Sequence, residues 1–212
     1  MKIVETSRKI KPSPVHIITK IPSEINQMAI HTMSRNERNF AWKLEFMGNV
    51  AYYQSQPFTC LFDMDGKERR YTPDFAVYFK DDLVPLILEI KPAQFLERLY
   101  TQRKLATVAR ELPKLGYRFM IMTEKQIPSR TEFFNLRFLF SHRKRLPSEK
   151  VINSVLKLVN DGFNRAFSLD EFIRRHDNPQ STVYSLIANG FLLTDMATQI
   201  GYQSRLTIAR AA

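Results

Sequence analysis

The stretch RRYTPDFAVYFKDDLVPLILEIKP, residues 69–92, decides how the chain is read. Arg70 to Phe79 predicts a strand interrupted early by Pro73. Lys80-Asp81-Asp82 predicts a turn, and Val84 to Lys91 a dense apolar strand, so the two strands form an antiparallel hairpin. Pro92 ends it. Gln94 to Leu115 predicts one long helix, with Pro113 near its end and Gly116 after it. Tyr117 to Thr123 predicts another buried strand. A helix and a strand after a hairpin imply a mixed sheet, hence an α/β class.

Upstream, Ser34 to Met47 predicts a helix, opened by the capping box Ser34-x-x-Glu37, with Phe40, Ala41, Leu44 and Met47 on one face. Val50 to Tyr53 and Phe58 to Phe62 predict strands, with a turn at Asp63 to Gly66. Gln56-Pro57 predicts a strand bend near any site built here. Residues 1–30 are punctuated by Pro12, Pro14 and Pro22 and are expected as an irregular arm. Residues 31–145 are then the main domain. The polar stretch Ser141 to Ser148, broken by Pro147, marks the boundary. Residues 149–212 predict three short helices and a terminal hairpin, the order of a small winged-helix-like domain.

Asp74 lies early on one strand of the hairpin. Glu89 and Lys91 lie two apart on the other and share a face, while Leu88 and Ile90 point the other way. An apolar strand ending in Glu-x-Lys calls for an explanation, because buried charges must be paired or ligated. Metal-assisted phosphodiester hydrolysis supplies one. Asp74 and Glu89 would hold a hard divalent cation, Mg²⁺ or Mn²⁺ in its place, and the Ile90 backbone carbonyl would add an oxygen. Lys91 would orient the attacking water or neutralise developing charge. Glu37 has two readings: it completes the capping box with Ser34, or it points at the sheet as a third acid. Together this is the P-D…(D/E)-x-K arrangement of restriction-type nucleases.

The charge agrees with an anionic partner. The chain of 212 residues carries a formal +11, and residues 95–150 hold 13 basic against 5 acidic side chains. Such an excess reads as a surface for phosphates, with Arg98, Arg103, Lys104, Arg110, Arg143, Lys144 and Arg145 as candidate double-stranded DNA contacts. No amphipathic basic helix with a tryptophan-bearing face appears there, so a membrane is not the expected partner. One cysteine, Cys60, excludes an intrachain disulfide framework and suits a reducing cytoplasm. The N-terminal text has no apolar signal core. His16, His31, His142 and His176 lack metal-ligand spacing, which argues against a histidine–zinc site. Ser181, Thr182 and Tyr184, opening the third C-terminal helix, are read either as a DNA contact or as ordinary exposed polar residues.

The text also resembles a family, the TnsA endonuclease subunit of heteromeric bacterial cut-and-paste transposons. The resemblance is carried by Ile21-Pro22-Ser23, Ser34-Arg-Asn-Glu37, Leu44-Glu45-Phe46, Val50, Tyr53, Gln56-Pro57, Arg70-Tyr-Thr-Pro-Asp74-Phe75, Glu89-Ile-Lys91-Pro92, Met122-Thr-Glu124, Asn135-Leu136 and Phe138-Leu139. The order holds over about 120 residues. The chain departs at Glu24, where a basic residue is expected, and in a helix between Lys91 and Tyr117 that is short for the family. The resemblance implies a restriction-endonuclease-like mixed sheet flanked by helices. It implies that Glu37, Asp74, Glu89 and Lys91 form the active-site set, cutting the non-transferred (5′) strand at transposon ends. A TnsB-like DDE transposase would cut and join the other strand, and a TnsC-like AAA+ ATPase would regulate. It places the protein in the bacterial cytoplasm, on the nucleoid when assembled. Two alternatives stand beside it: a stand-alone restriction- or repair-type nuclease, and a DNA-bound assembly subunit with a decayed site. Intact Asp74, Glu89 and Lys91 argue against decay.

Overall fold

The structure, a computed structural model, describes residues 1–6, 18–160, 166–176 and 179–209. Two compact units divide it, Met1–Pro128 and Ser129–Ala212.

Apolar strands covered on both faces build the centre of the first unit. Strands β4 (Val50–Ser55), β7 (Phe75–Phe79), β8 (Asp82–Ile90) and β9 (Arg118–Met122) form a sheet in the order β4-β7-β8-β9. β4-β7 and β7-β8 are antiparallel, and β8-β9 is parallel. The sheet is therefore mixed, as the hairpin–helix–strand order predicts. Phe75 and Leu88 sit opposite one another, as do Ala76 and Ile87, and the two pairs point to opposite faces. The Phe75 face meets α1 (Arg35–Glu45), where Phe40 lies 5.7 Å from the Phe75 ring. The Ala76–Ile87 face packs with Val108 of α3 (Leu99–Glu111), Leu112, and Phe58, Cys60 and Phe62. Burying an aliphatic or aromatic side chain of this kind contributes roughly 1.5–3 kcal/mol.

A second antiparallel sheet joins β1 (Lys2–Thr6), β5 (Phe58–Met64) and β6 (Lys67–Tyr71) in the order β1-β5-β6. Its β5–β6 turn holds Asp65 (φ 57°) and Gly66 (φ 71°) in left-handed backbone, the turn an Asp-Gly pair favours. Strands β2 (Thr19–Ser23) and β3 (Met28–Thr32) form a hairpin.

Three expectations are corrected here. The strand expected over Arg70–Phe79 is two strands in two sheets. Pro73 has no N–H for a ladder, so the chain leaves β6 at Tyr71 and enters β7 at Phe75. The long helix breaks into α2 (Ala93–Leu96) and α3. Arg98 adopts an extended ψ of 123° between them, and the Pro113 segment tightens into a 3₁₀ turn, Leu112–Leu115. The arm expected over residues 1–30 is not irregular throughout, because backbone pairing draws Lys2–Thr6, Thr19–Ser23 and Met28–Thr32 into strands. Its Pro12 and Pro14 part lies outside the described residues.

The second unit begins with α4 (Arg130–Arg143), opened by a capping box between Ser129 and Glu132. Then follow α5 (Glu149–Asn160), β10 (Phe167–Ser168), α6 (Leu169–His176), α7 (Gln180–Ala188), β11 (Leu192–Thr194) and β12 (Arg205–Ile208). The strands pair antiparallel in the order β10-β12-β11. The two compact units thus part at Pro128/Ser129, upstream of the Ser141–Ser148 stretch. The reason is packing: Asn135 donates to the carbonyls of Met196 and Thr198 and accepts from the Ile200 amide, and Phe138 meets Tyr184 edge-on at 4.7 Å. Those bonds tie α4 to the C-terminal elements.

Candidate active site

The Pro73 crossing delivers Asp74 to the mouth of β7. Its N–H continues the ladder to Leu88 O at 3.1 Å, one step beyond the Phe75–Leu88 pair, and so sets Asp74 across from Glu89. The Ile90 amide donates to Asp74 Oδ2 at 2.6 Å, and the Gln56 amide to the Asp74 carbonyl at 2.9 Å. Glu89 is 6% exposed. Lys91 Nζ lies 3.1 Å from its Oε1, and Tyr71 donates its hydroxyl to its Oε2 at 3.0 Å. On the far side Lys104 Nζ sits 5.3 Å from the centre of the Tyr71 ring, a cation over a π face.

Glu37, at the third position of α1, is buried on the same side as Phe40, Ala41 and Leu44. The capping box is half formed. Ser34 accepts the Glu37 amide at 3.1 Å, but the Glu37 carboxylate accepts the Met33 amide at 2.9 Å. Its charge is felt at Asp74. Burial pushes the Asp74 carboxyl well above the usual carboxylate range, Glu89 and Glu37 push it further, and the Ile90 amide and Lys91 oppose them. At Asp74 the effects of Glu89 and Glu37 thus outweigh that of Lys91. Burial, and then Glu89, likewise hold the Tyr71 hydroxyl well above its ordinary value, so it stays a donor.

Among the described residues no group of three or more His, Cys, Asp or Glu side chains is gathered to hold a metal. The expected donor set is smaller, Asp74, Glu89 and the Ile90 carbonyl. These are hard oxygens, the donor type that a magnesium-type ion takes.

The seven basic candidates divide between the two units. Arg98, Arg103 and Arg110 are exposed on and before α3. Arg98 stacks on Phe95 at 4.6 Å, Arg103 pairs with Asp65 at 3.2 Å, and Arg110 with Glu111 at 3.3 Å. Lys104 is turned to Tyr71. Arg143, Lys144 and Arg145 belong to the other unit, where the carbonyls of Arg143 and Arg145 accept bonds from Asn189 and Ser185 of the α7 end. That segment is anchored rather than a free linker. Tyr184 is not a free polar contact either: its ring packs on Phe138 and His142, and its hydroxyl accepts from Gln180.

Two residues carry more than the sequence reading assigned. Tyr71 holds Glu89. Glu45, eight residues after Glu37 on the same helix face, is fully buried and accepts from Ser23 Oγ, the Glu24 amide and the Tyr53 hydroxyl. The i+8 spacing was a readable signal for it.

The mixed α/β sheet brings Asp74, Glu89 and Lys91 to adjacent strand ends. Residues 48–124 match the family model of the TnsA-like endonuclease N-terminal domain, a match that supports the resemblance to the TnsA family. Asp74, Glu89 and Lys91 fall inside the matched range and Glu37 before it. The comparison with curated proteins gave no match. Among the described residues no helix is long and apolar enough to cross a membrane.

Proposed function

We propose that this chain is the Mg²⁺-dependent, PD-(D/E)xK-type nuclease subunit of a transposase, cutting the non-transferred (5′) strand at transposon ends. The observation that carries it is the convergence of Asp74, Glu89 and Lys91, with Lys91 Nζ 3.1 Å from Glu89. Asp74, Glu89 and the Ile90 carbonyl hold the cation, and Glu37 adds a third carboxylate beside Asp74. When bound, the cation lowers the pKa of water and stabilises charge building on phosphorus. Lys91 orients the attacking water or neutralises charge on the phosphate. The water oxygen bonds to phosphorus, and one ester oxygen leaves with a proton. Tyr71 keeps Glu89 aimed by its hydroxyl.

The second unit serves as a winged-helix-like docking domain, a reading supported by the helix and strand order of α5 to β12. Its partners are a TnsB-like DDE transposase, which cuts and joins the other strand, and a TnsC-like AAA+ ATPase. The site of action is the bacterial cytoplasm, on the nucleoid. The test uses the full chain with an end-labelled transposon-end duplex and Mg²⁺, with and without recombinase and ATPase. Cutting confined to the complete mixture, and lost in Asp74→Ala, is expected. Efficient cutting of naked DNA by the chain alone points instead to a stand-alone nuclease.

A further inference from the structure

We propose that Gln56 is a positioning residue of this site, its side-chain carbonyl oxygen accepting a hydrogen bond from water held among the carboxylates of Glu37, Asp74 and Glu89. The inference rests on the nuclease reading and adds a residue to it. Three observations carry it. Gln56 has a φ of 46°, left-handed backbone that side chains other than glycine rarely adopt. The residue before a proline prefers an extended backbone, and Pro57 follows. The fold therefore holds this glutamine against its own preference, and such strain gathers at functional sites.

The second observation is position. The Gln56 amide donates to the Asp74 carbonyl at 2.9 Å, and its side-chain Nε2 donates to Met33 Sδ. Met33 in turn donates its amide to Glu37. Gln56 thus bonds to the main chain of Asp74 and to the side chain of Met33, whose own amide holds Glu37. The third is an orphan. Gln56 is 7% exposed, and its Oε1 is buried without a hydrogen-bond partner among the described residues. A buried amide oxygen left unpaired is costly, and the great majority find a partner. Water bound by neighbouring carboxylates presents the O–H donors that this acceptor lacks.

The role separates from a structural one in opposite signs. Gln56→Met keeps length and apolar bulk but removes the acceptor. Gln56→Gly relaxes the backbone at φ 46°. The test compares Mn²⁺ affinity by calorimetry, thermal melting and the kcat–KM split of DNA cleavage in the assembled system, with Asp74→Ala as reference. Both variants should bind Mn²⁺ about tenfold more weakly, the size of effect usual for groups that orient metal ligands. They should lower kcat with KM for DNA unchanged, and melt at or above the wild-type temperature. A lower melting temperature with Mn²⁺ affinity unchanged, or failure of both variants to fold, makes Gln56 a structural residue and overturns the proposal. So does wild-type behaviour in every readout. If Asp74→Ala also binds Mn²⁺ as the wild type does, the nuclease site itself is misassigned, and that failure is told apart by the reference.

Discussion

The Ile90 amide reaches across the β7–β8 hairpin to Asp74 Oδ2 at 2.6 Å, so the carboxylate is aimed by the sheet itself. The same strand end carries Glu89 and Lys91, and preorganisation follows from strand register rather than from a loop. The bond favours the charged form, yet burial and the neighbouring acids outweigh it.

That balance gives a pH prediction. The folded-state value of Asp74 lies above its ordinary 3.8. Between the two values the folded protein binds more protons than the unfolded chain, so stability falls as pH rises, and the penalty is complete above the raised value. Asp74→Asn keeps an acceptor for Ile90 and removes the charge. In EDTA it should melt higher than wild type at neutral pH, with the gap closing as pH falls toward the ordinary value. Melting curves from about pH 4 to 8 check this, and a lower Asn melting temperature throughout contradicts it.

Lys91→Ala should keep the fold and lose cleavage. The Lys91 side chain is 35% exposed, so little packing is lost. Removing one charge-stabilising group from a preorganised site costs about 10²–10³ in rate. Single-turnover cleavage beside a circular dichroism melt separates the outcomes. An unfolded variant makes Lys91 a structural partner of Glu89, and an unimpaired one removes it from the chemistry.

Glu45 should behave oppositely to Glu37, although both are buried on α1. Glu45 gathers Ser23, Glu24 and Tyr53 and lies outside the Asp74 cluster. Burial and Glu45 together push the Tyr53 hydroxyl far above its ordinary value, so it remains a donor. Glu45→Ala strands these donors, at about 1–3 kcal/mol for each buried group left unpaired. Denaturant titration should show a loss of at least about 2 kcal/mol, whereas Glu37→Gln should spare stability and impair cutting.

DNA affinity should fall steeply with salt, through the exposed face of α3 and its start. Each phosphate contact removed flattens the log–log salt slope by about 0.9. Charge reversal at Arg98 and Arg110 should reduce both affinity and slope in fluorescence anisotropy. Lys104→Ala, its ammonium over Tyr71, should change the slope less. Equal effects at all three positions place Lys104 on the DNA instead.

The legible part of this protein was its apolar strands and the polar turn between them. Apolar runs on either side of the polar Lys80-Asp81-Asp82 turn placed the hairpin, and with it Asp74, Glu89 and Lys91. The change of sheet at Pro73 was harder to read, because a proline in a strand marks an edge, a bulge or an exit alike. The break at Arg98 left no capping signal, since no side chain caps it. The parting of the compact units at Pro128/Ser129 was not legible because Asn135 works at long range: its bonds to Met196, Thr198 and Ile200 span more than sixty residues, and no local pattern announces them. Tyr71 stood inside the decisive motif, but its role depends on where a hydroxyl ends, which a strand pattern does not specify.

Loss of catalysis should change the product of transposition rather than stop it. If the recombinase joins one strand at each end while this chain cuts the other, Asp74→Ala leaves the second strand attached to donor DNA. The joined intermediate is then resolved only by replication through the element. Simple insertions should fall and donor–target cointegrates rise, provided that the inactive subunit still docks through its C-terminal unit. Long-read sequencing of insertion products from cells carrying Asp74→Ala counts both. Simple insertions at wild-type frequency would refute the second-strand role. A complete absence of joined product would mean that assembly requires an intact site, and the docking function of residues 149–212 would then need its own test, by deletion of that segment in a wild-type nuclease unit.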